Sequence, residues 1–203
     1  MAALTTAEAV CNLALGLVGQ RQFIDRLDEP STEAQVATVY YEQTRNKVLA
    51  AFRWRFATQR AVLALTAETR SGWTFAYAAP AKMLVAQRIF DGNRNPGEGE
   101  EIPFAKELND AGDGYLILTD QPDAELIFTR ELTTVALFPP HFVDALAAHL
   151  AVCFAGALPV KPQLMPGFQM AAERSLLTAA AIDANEAVAD PAPESKTIRI
   201  RRR

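Results

Sequence analysis

Apolar residues return at helical spacing in the first twenty positions. Ala9, Leu13 and Leu17, with Val10 and Ala14 beside them, share one face, so a helix is expected from about Thr6 to Val18. Thr5 precedes it with Glu8 three residues on, a capping-box spacing, and Gly19 supplies a stop. After a loop through Asp28-Glu29-Pro30, a second helix is expected from Ser31 or Thr32 to about Phe52. Its apolar face reads Val36, Val39/Tyr40, Val48, Leu49 and Phe52, with Gln43, Arg45 and Lys47 on the outer side.

The period then shortens. Phe56 to Leu65, Trp73 to Ala78, Met83 to Phe90, Ile102 to Leu108, Tyr115 to Thr119 and Glu125 to Glu131 read as short strands. Asp110-Ala-Gly-Asp-Gly and Asp120-Gln-Pro-Asp are turn sequences, and 91–101 is a long hydrophilic loop. Helix returns at Pro139-Pro140, since proline fits a first helical turn, and its stripe runs Phe142, Leu146, Leu150, Val152/Cys153 to about Leu158. Alanines between these positions let neighbouring helices approach closely. Pro159, Pro162 and Pro166 break the chain, and a last helix from about Gly167 to Ala187 carries Met170, Leu176/Leu177 and Ile182.

The expected fold is α+β, a four-helix, bundle-like α domain interrupted by an antiparallel β module, with an extended C-terminal tail. Residues 1–54 hold helices one and two, 55–132 the β-rich insertion, 133–188 helices three and four, and 189–203 the tail.

At 203 residues and 50% hydrophobic content, the chain can bury a core without disulfides or structural metals. Cys11 and Cys153 read as buried thiols of a reducing compartment, with a single disulfide left open. No stretch reaches the roughly 20 continuous apolar residues of a membrane span. The start lacks a signal-peptide pattern, so a soluble protein made in the cytoplasm is expected. The formal net charge of −4 excludes a general nucleic-acid coat. That average hides a split: from Asp190 onward five bases face two acids, so the tail carries +3 and the body −7.

Little in the sequence points to catalysis. His141 and His149 lie eight residues apart, where a helical metal pair would sit four apart, so no metal is expected. Asp110-Ala-Gly-Asp-Gly lacks the alternating ligands of a calcium loop. Glu98, Glu100 and Glu101 form a carboxylate run among glycines, too loosely held for catalysis. No nucleophile elbow, phosphate loop or dinucleotide fingerprint occurs, and neither enzymatic activity nor a cofactor is expected. Trp54, Phe56, Trp73 and Tyr77 are expected to cement the joint between the second helix and the β module. In the tail, Ile198 and Ile200 alternate with Arg199 and Arg201, ahead of Arg202 and Arg203 and after Lys196. A period of two behind a proline-rich linker suits strand addition to a partner. A plain basic terminus reads the same residues equally well.

Several motifs together resemble the tail tubular protein A family of phage head–tail adaptors. They are Leu15-Gly-Leu-Val-Gly-Gln, the Ile24-Asp-Arg-Leu-Asp-Glu run, Tyr40/Tyr41, Arg45 through Val48-Leu49, Trp54-Arg-Phe-Ala with Arg60, Trp73, Tyr77 and Pro80, Leu118-Thr-Asp, and Phe142 with Ala145-Leu-Ala and Leu150-Ala. The succession spans residues 1 to about 185 in order. The resemblance implies a non-catalytic virion protein of the phage neck, most like the short-tailed kind. Such a protein forms a homo-oligomeric ring, a dodecamer, beneath the portal protein, extends the DNA channel and carries the tail nozzle and in some phages the fibres. Double-stranded DNA then passes without specific binding, and no membrane is involved. On that reading Lys196 and Ile198 to Arg203 dock on the portal, and the loop with Asn93, Arg94, Asn95, Glu98, Glu100 and Glu101 faces the nozzle or the tail exterior. The competing reading is a nucleic-acid- or ligand-binding module that uses the basic tail and the aromatic residues.

Overall fold

The computed structural model describes residues 5–92 and 101–186. The chain forms α1 (Ala7–Leu17), α2 (Thr32–Ala51), β1 (Thr58–Val62), β2 (Ala64–Leu65), β3 (Phe75–Ala78), β4 (Met83–Phe90), β5 (Phe104–Leu108), β6 (Tyr115–Thr119), β7 (Glu125–Arg130), α3 (Pro140–Ala157) and α4 (Met165–Asn185). The fold is mixed α+β with antiparallel pairing. It divides into an α unit, described residues 5–58 with 129–184, and a β unit, residues 59–128.

The helix ends follow local chemistry. Thr6, rather than the expected Thr5, caps α1, its hydroxyl accepting from Ala9 N–H at 3.2 Å. At the other end Gly19 adopts φ +83, and the N–H groups of Gly19 and Gln20 bond back to the carbonyls of Gly16 and Leu15. Asn12 then holds the following loop like a paired strand, bonding both the N–H and the carbonyl of Ile24 at 2.8 Å. Ser31 caps α2, and Pro140 stands at the start of α3.

Helices α1, α2 and α3 pack on one another. α3 is apolar on most sides, with a mean hydropathy of 1.3 over 18 residues, so by length and composition it is able to cross a membrane. The sequence reading expected no such segment. Half of α3 is buried within the protein, as in a core helix. The register of α2 also differs from expectation: its buried face is Ala34, Ala37, Tyr41, Thr44, Arg45, Val48 and Leu49, while Val39 is 61% exposed. Arg45, expected on the outer side, is buried against Glu131 (2.8 Å), with Asn46 bonding the same carboxylate. A buried guanidinium is tolerable only with such a partner.

Helix α4 departs furthest from a four-helix bundle. Its buried residues are only Ala172, Ala179 and Asp183, and the expected core residues Met170, Leu177 and Ile182 are exposed. The helix also begins at Met165, so Pro166 sits in its first turn instead of breaking the chain.

In the β unit one sheet has the order β1-β7-β4 and the other β2-β3-β6-β5. The run expected as a single strand from Phe56 splits at Leu63, which is buried and donates its N–H to the Ala124 carbonyl. β6 is buried along Leu116 to Thr119 because apolar clusters lie on both of its faces. Ile117 joins Tyr77, Ile89, Leu126 and Phe128 on one side, and Leu116 and Leu118 join Ala76 and Trp73 on the other. Between β5 and β6 the Asp110 to Gly114 segment is a hairpin turn, closed by the Asn109 carboxamide on the N–H groups of Asp113 and Gly114 at 3.1 Å.

Two buried groups set the alkaline limit of stability. Burial, with Glu8 nearby, pushes the Cys11 thiol up to about 12, and burial does the same to the Tyr41 hydroxyl. Both cysteines are free. In the unfolded chain these groups ionise near about 8.5 and 10. The unfolded state therefore sheds protons that the folded state keeps. The urea midpoint is expected to hold steady up to about pH 8 and to fall as pH rises towards 12; an unchanged midpoint at pH 10.5 would contradict the burial of both groups.

Candidate functional site

A groove of about 780 Å³ opens in the α unit. Its walls are Leu13, Leu17, Val18 and Gly19 of α1 and the turn after it, and Leu164, Gly167, Phe168 and Ala171 of α4 and the turn before it. Ala148 and Ala151 of α3 line it as well, with Asp144 and Ser175 as its polar members. Leu13 and Leu17 belong to the stripe that the sequence reading assigned to the core. Of that face Val10 and Ala14 are buried as expected, the buried side continues to Cys11 and Leu15 further around the helix, and Leu17 is half exposed. A helix with apolar residues on two adjoining faces has one face more than its own core uses.

Beside the groove lies a hollow of about 310 Å³, which shares Asp144, Ala171 and Ser175 with it and adds His141, Arg174, Thr178, Ala179 and Ile182. Behind it sits a buried polar pair. Asp183 is wholly buried, and one carboxylate oxygen accepts the Arg55 backbone N–H at 3.0 Å. The other oxygen faces Nε2 of His141 at 4.0 Å, and neither atom has a hydrogen-bond partner among the described residues. His141 is held flat by the Trp54 indole, with ring centroids 6.4 Å apart. No family model and no curated protein matches this chain. The site is therefore read from its own chemistry. The groove suits apolar side chains with a cation at the Asp144 end.

The residues singled out in the sequence separate as follows. Trp54 and Phe56 lie in the α unit, in an aromatic cluster with Phe52, Phe138 and Phe142 at centroid distances of 4.8–6.2 Å. Trp73 and Tyr77 lie in the β unit, one in each of its two apolar clusters. Glu101 is exposed on a bend. Asn93, Arg94, Asn95, Glu98 and Glu100 lie outside the described residues, as do Lys196 and Ile198 to Arg203. His149 bonds the Ala145 carbonyl one turn back on its own helix.

Sequence reasoning missed Asp183, His141 as its partner, and the Arg45–Glu131 pair. The signal available was faint: an aspartate two to four residues from the end of an alanine-rich helix, where helix dipoles disfavour an acid. In the β unit Arg70 gathers Glu68, Asp110 and the Leu108 carbonyl at 2.9–3.3 Å, tying the β2–β3 connection to the hairpin. This cluster is a brace on a half-exposed surface.

The Asp183 pair makes a prediction. Asp183→Ala removes the acceptor of the Arg55 N–H and is expected to lower stability by about 1–3 kcal/mol in urea titration. Asp183→Asn keeps an acceptor, gains a donor towards His141, and is expected to lose less. Equal losses for the two would mean that the carboxylate packs without bonding.

Proposed function

We infer that this chain is a structural subunit that assembles with copies of itself, in the manner of a tailed-phage head–tail adaptor ring. The supporting observation is the outer face of α4. Met170 and Leu177, two turns apart, are 69% and 71% exposed, and they point away from the side that holds Ala172, Ala179 and Asp183. A helix that spends its small residues on its own core and its large ones on solvent is built to be covered. The face and the groove stand on different sides of the α unit's last helix, so copies would meet through unlike surfaces, and such contacts build a ring when the rotation from copy to copy closes.

The family resemblance supplies the rest of the reading. The ring would sit beneath a portal protein, as a dodecamer, and lead to the nozzle. An acidic body repeated around a ring would repel DNA phosphates and let the duplex slide. The basic tail and the 91–101 loop would reach the neighbours above and below, with fibres as further partners.

Mass photometry and negative-stain electron microscopy of the full chain, alone and with portal particles, test this. Rings on portal are expected, and Met170→Glu with Leu177→Glu is expected to abolish them while the thermal midpoint moves by less than about 2 °C. Normal rings from the double variant would remove α4 from the interface. A full chain that ignores portal and binds DNA with steep salt dependence would overturn the assembly reading in favour of the nucleic-acid module.

A further inference from the structure

The groove between α1, α3 and α4 and the outer face of α4 belong to the same unit, and each has what the other lacks. We propose that the row Met170, Arg174 and Leu177 of one copy seats in the groove of a second copy, with Met170 and Leu177 on its apolar walls and Arg174 paired with Asp144. The proposal rests on the self-assembly reading above and names the two surfaces that meet.

Three observations carry it. The first is size. Met170, Arg174 and Leu177 follow at i, i+4 and i+7, so they stand in one row along α4. At 1.5 Å per residue the apolar ends of the row are about 10.5 Å apart. Asp144 and Ala151, the first and last α3 residues in the groove, are also seven residues apart and so span the same length. Ala148 and Ala151 keep that side of the groove low, and the row brings three large side chains to fill it.

The second is charge. Asp144 and Arg174 are both exposed, and neither has an ion pair among the described residues. Within one copy they border the same small hollow without forming one. An acid and a base left unmatched on the groove and on the row complement each other across copies. The attraction strengthens as the apolar contacts around it exclude water.

The third is direction. Ala171 and Ser175 present the groove side of α4, and they stand about 100° or more around the helix from Met170 and Leu177. A copy therefore cannot place its own row in its own groove. Each copy gives one row and receives another, so the contact repeats from copy to copy.

Chemical cross-linking of the full chain with portal particles present, read on a denaturing gel, tests the pairing. The face variant is Met170→Glu with Leu177→Glu, and the groove variant is Ala148→Leu with Ala171→Leu. Leucine at those places buries apolar area, so the groove variant is expected to melt no lower than the unaltered chain. Leu17→Glu, at a half-exposed wall position, serves as a second groove variant. The unaltered chain is expected to give a ladder, and each variant alone a monomer. An equal mixture of face and groove variants is expected to give a dimer and nothing larger, because one intact row meets one intact groove and none remains. Asp144→Arg added to the face variant is expected to cut that dimer about fivefold, and Arg174→Asp added to the groove variant to restore it. A ladder from a variant alone, a mixture that stays monomeric, or a loss that Arg174→Asp does not restore overturns the proposal, while the ladder of the unaltered chain keeps the self-assembly reading. No ladder from the unaltered chain overturns both.

Discussion

The α unit is built from two stretches of chain separated by the whole β unit, and its stability depends on their meeting at Trp54. The indole is fully buried, its N–H donates to the Val48 carbonyl at 2.8 Å, and its ring takes the edge of Phe142 from the second stretch at 5.1 Å. The hydrogen bond fixes the indole to the end of α2. Phe52 and Phe56 flank it from the same stretch. His141 and Phe142 then close over it at the start of α3, which orients the entire third helix.

An insertion of this size need not weaken such a junction. Arg130 N–H bonds the Ala57 carbonyl at 2.8 Å, so the two crossings of the chain lie side by side. With its ends already adjacent, an inserted unit adds little closure entropy, because that entropy depends on the free length of the loop. Polar contacts then fix the register. Arg45 with Glu131, and Arg55 with Asp183, each join the first stretch to the second across more than eighty residues of sequence. A buried ion pair adds little net stability against an apolar substitute, yet a misplaced one is strongly unfavourable. The Arg45–Glu131 pair therefore acts against wrong registers more than it adds to the right one, while the Arg55 backbone N–H on Asp183 adds a directional bond at the same junction.

Much of the secondary structure was legible, and the reason is local. Gly19, Ser31, Pro140 and the Asp110–Gly114 turn act through neighbours within five residues, so the sequence displays them directly. Burial was less legible, because it depends on what lies opposite. Leu13, Leu17, Met170 and Leu177 are apolar at helical spacing, and periodicity alone assigns them to the core. In the fold they belong to surfaces left over after Cys11, Ala14, Leu15, Ala172 and Ala179 have made the contacts. Arg45 errs the other way, since nothing near it in sequence announces Glu131. Asp183 was invisible for the same reason: its partners come from residues 55 and 141.

The alanines show why the groove exists at all. The reading that alanine lets helices approach holds for Ala145, Ala147 and Ala155, which are buried. It fails for Ala148 and Ala171, which line open space between α3 and α4. Leucine at either place would fill part of the groove and bury apolar area worth about 25 cal/mol per Å². Protein interiors are otherwise packed to crystal density, so space kept open by small residues forgoes that stabilisation. The loss is recovered only when something enters. A groove with three leucines and a phenylalanine in its walls, small residues behind them and one acid without an ion partner among the described residues is thus incomplete as a surface, and its chemistry suits an apolar, basic occupant.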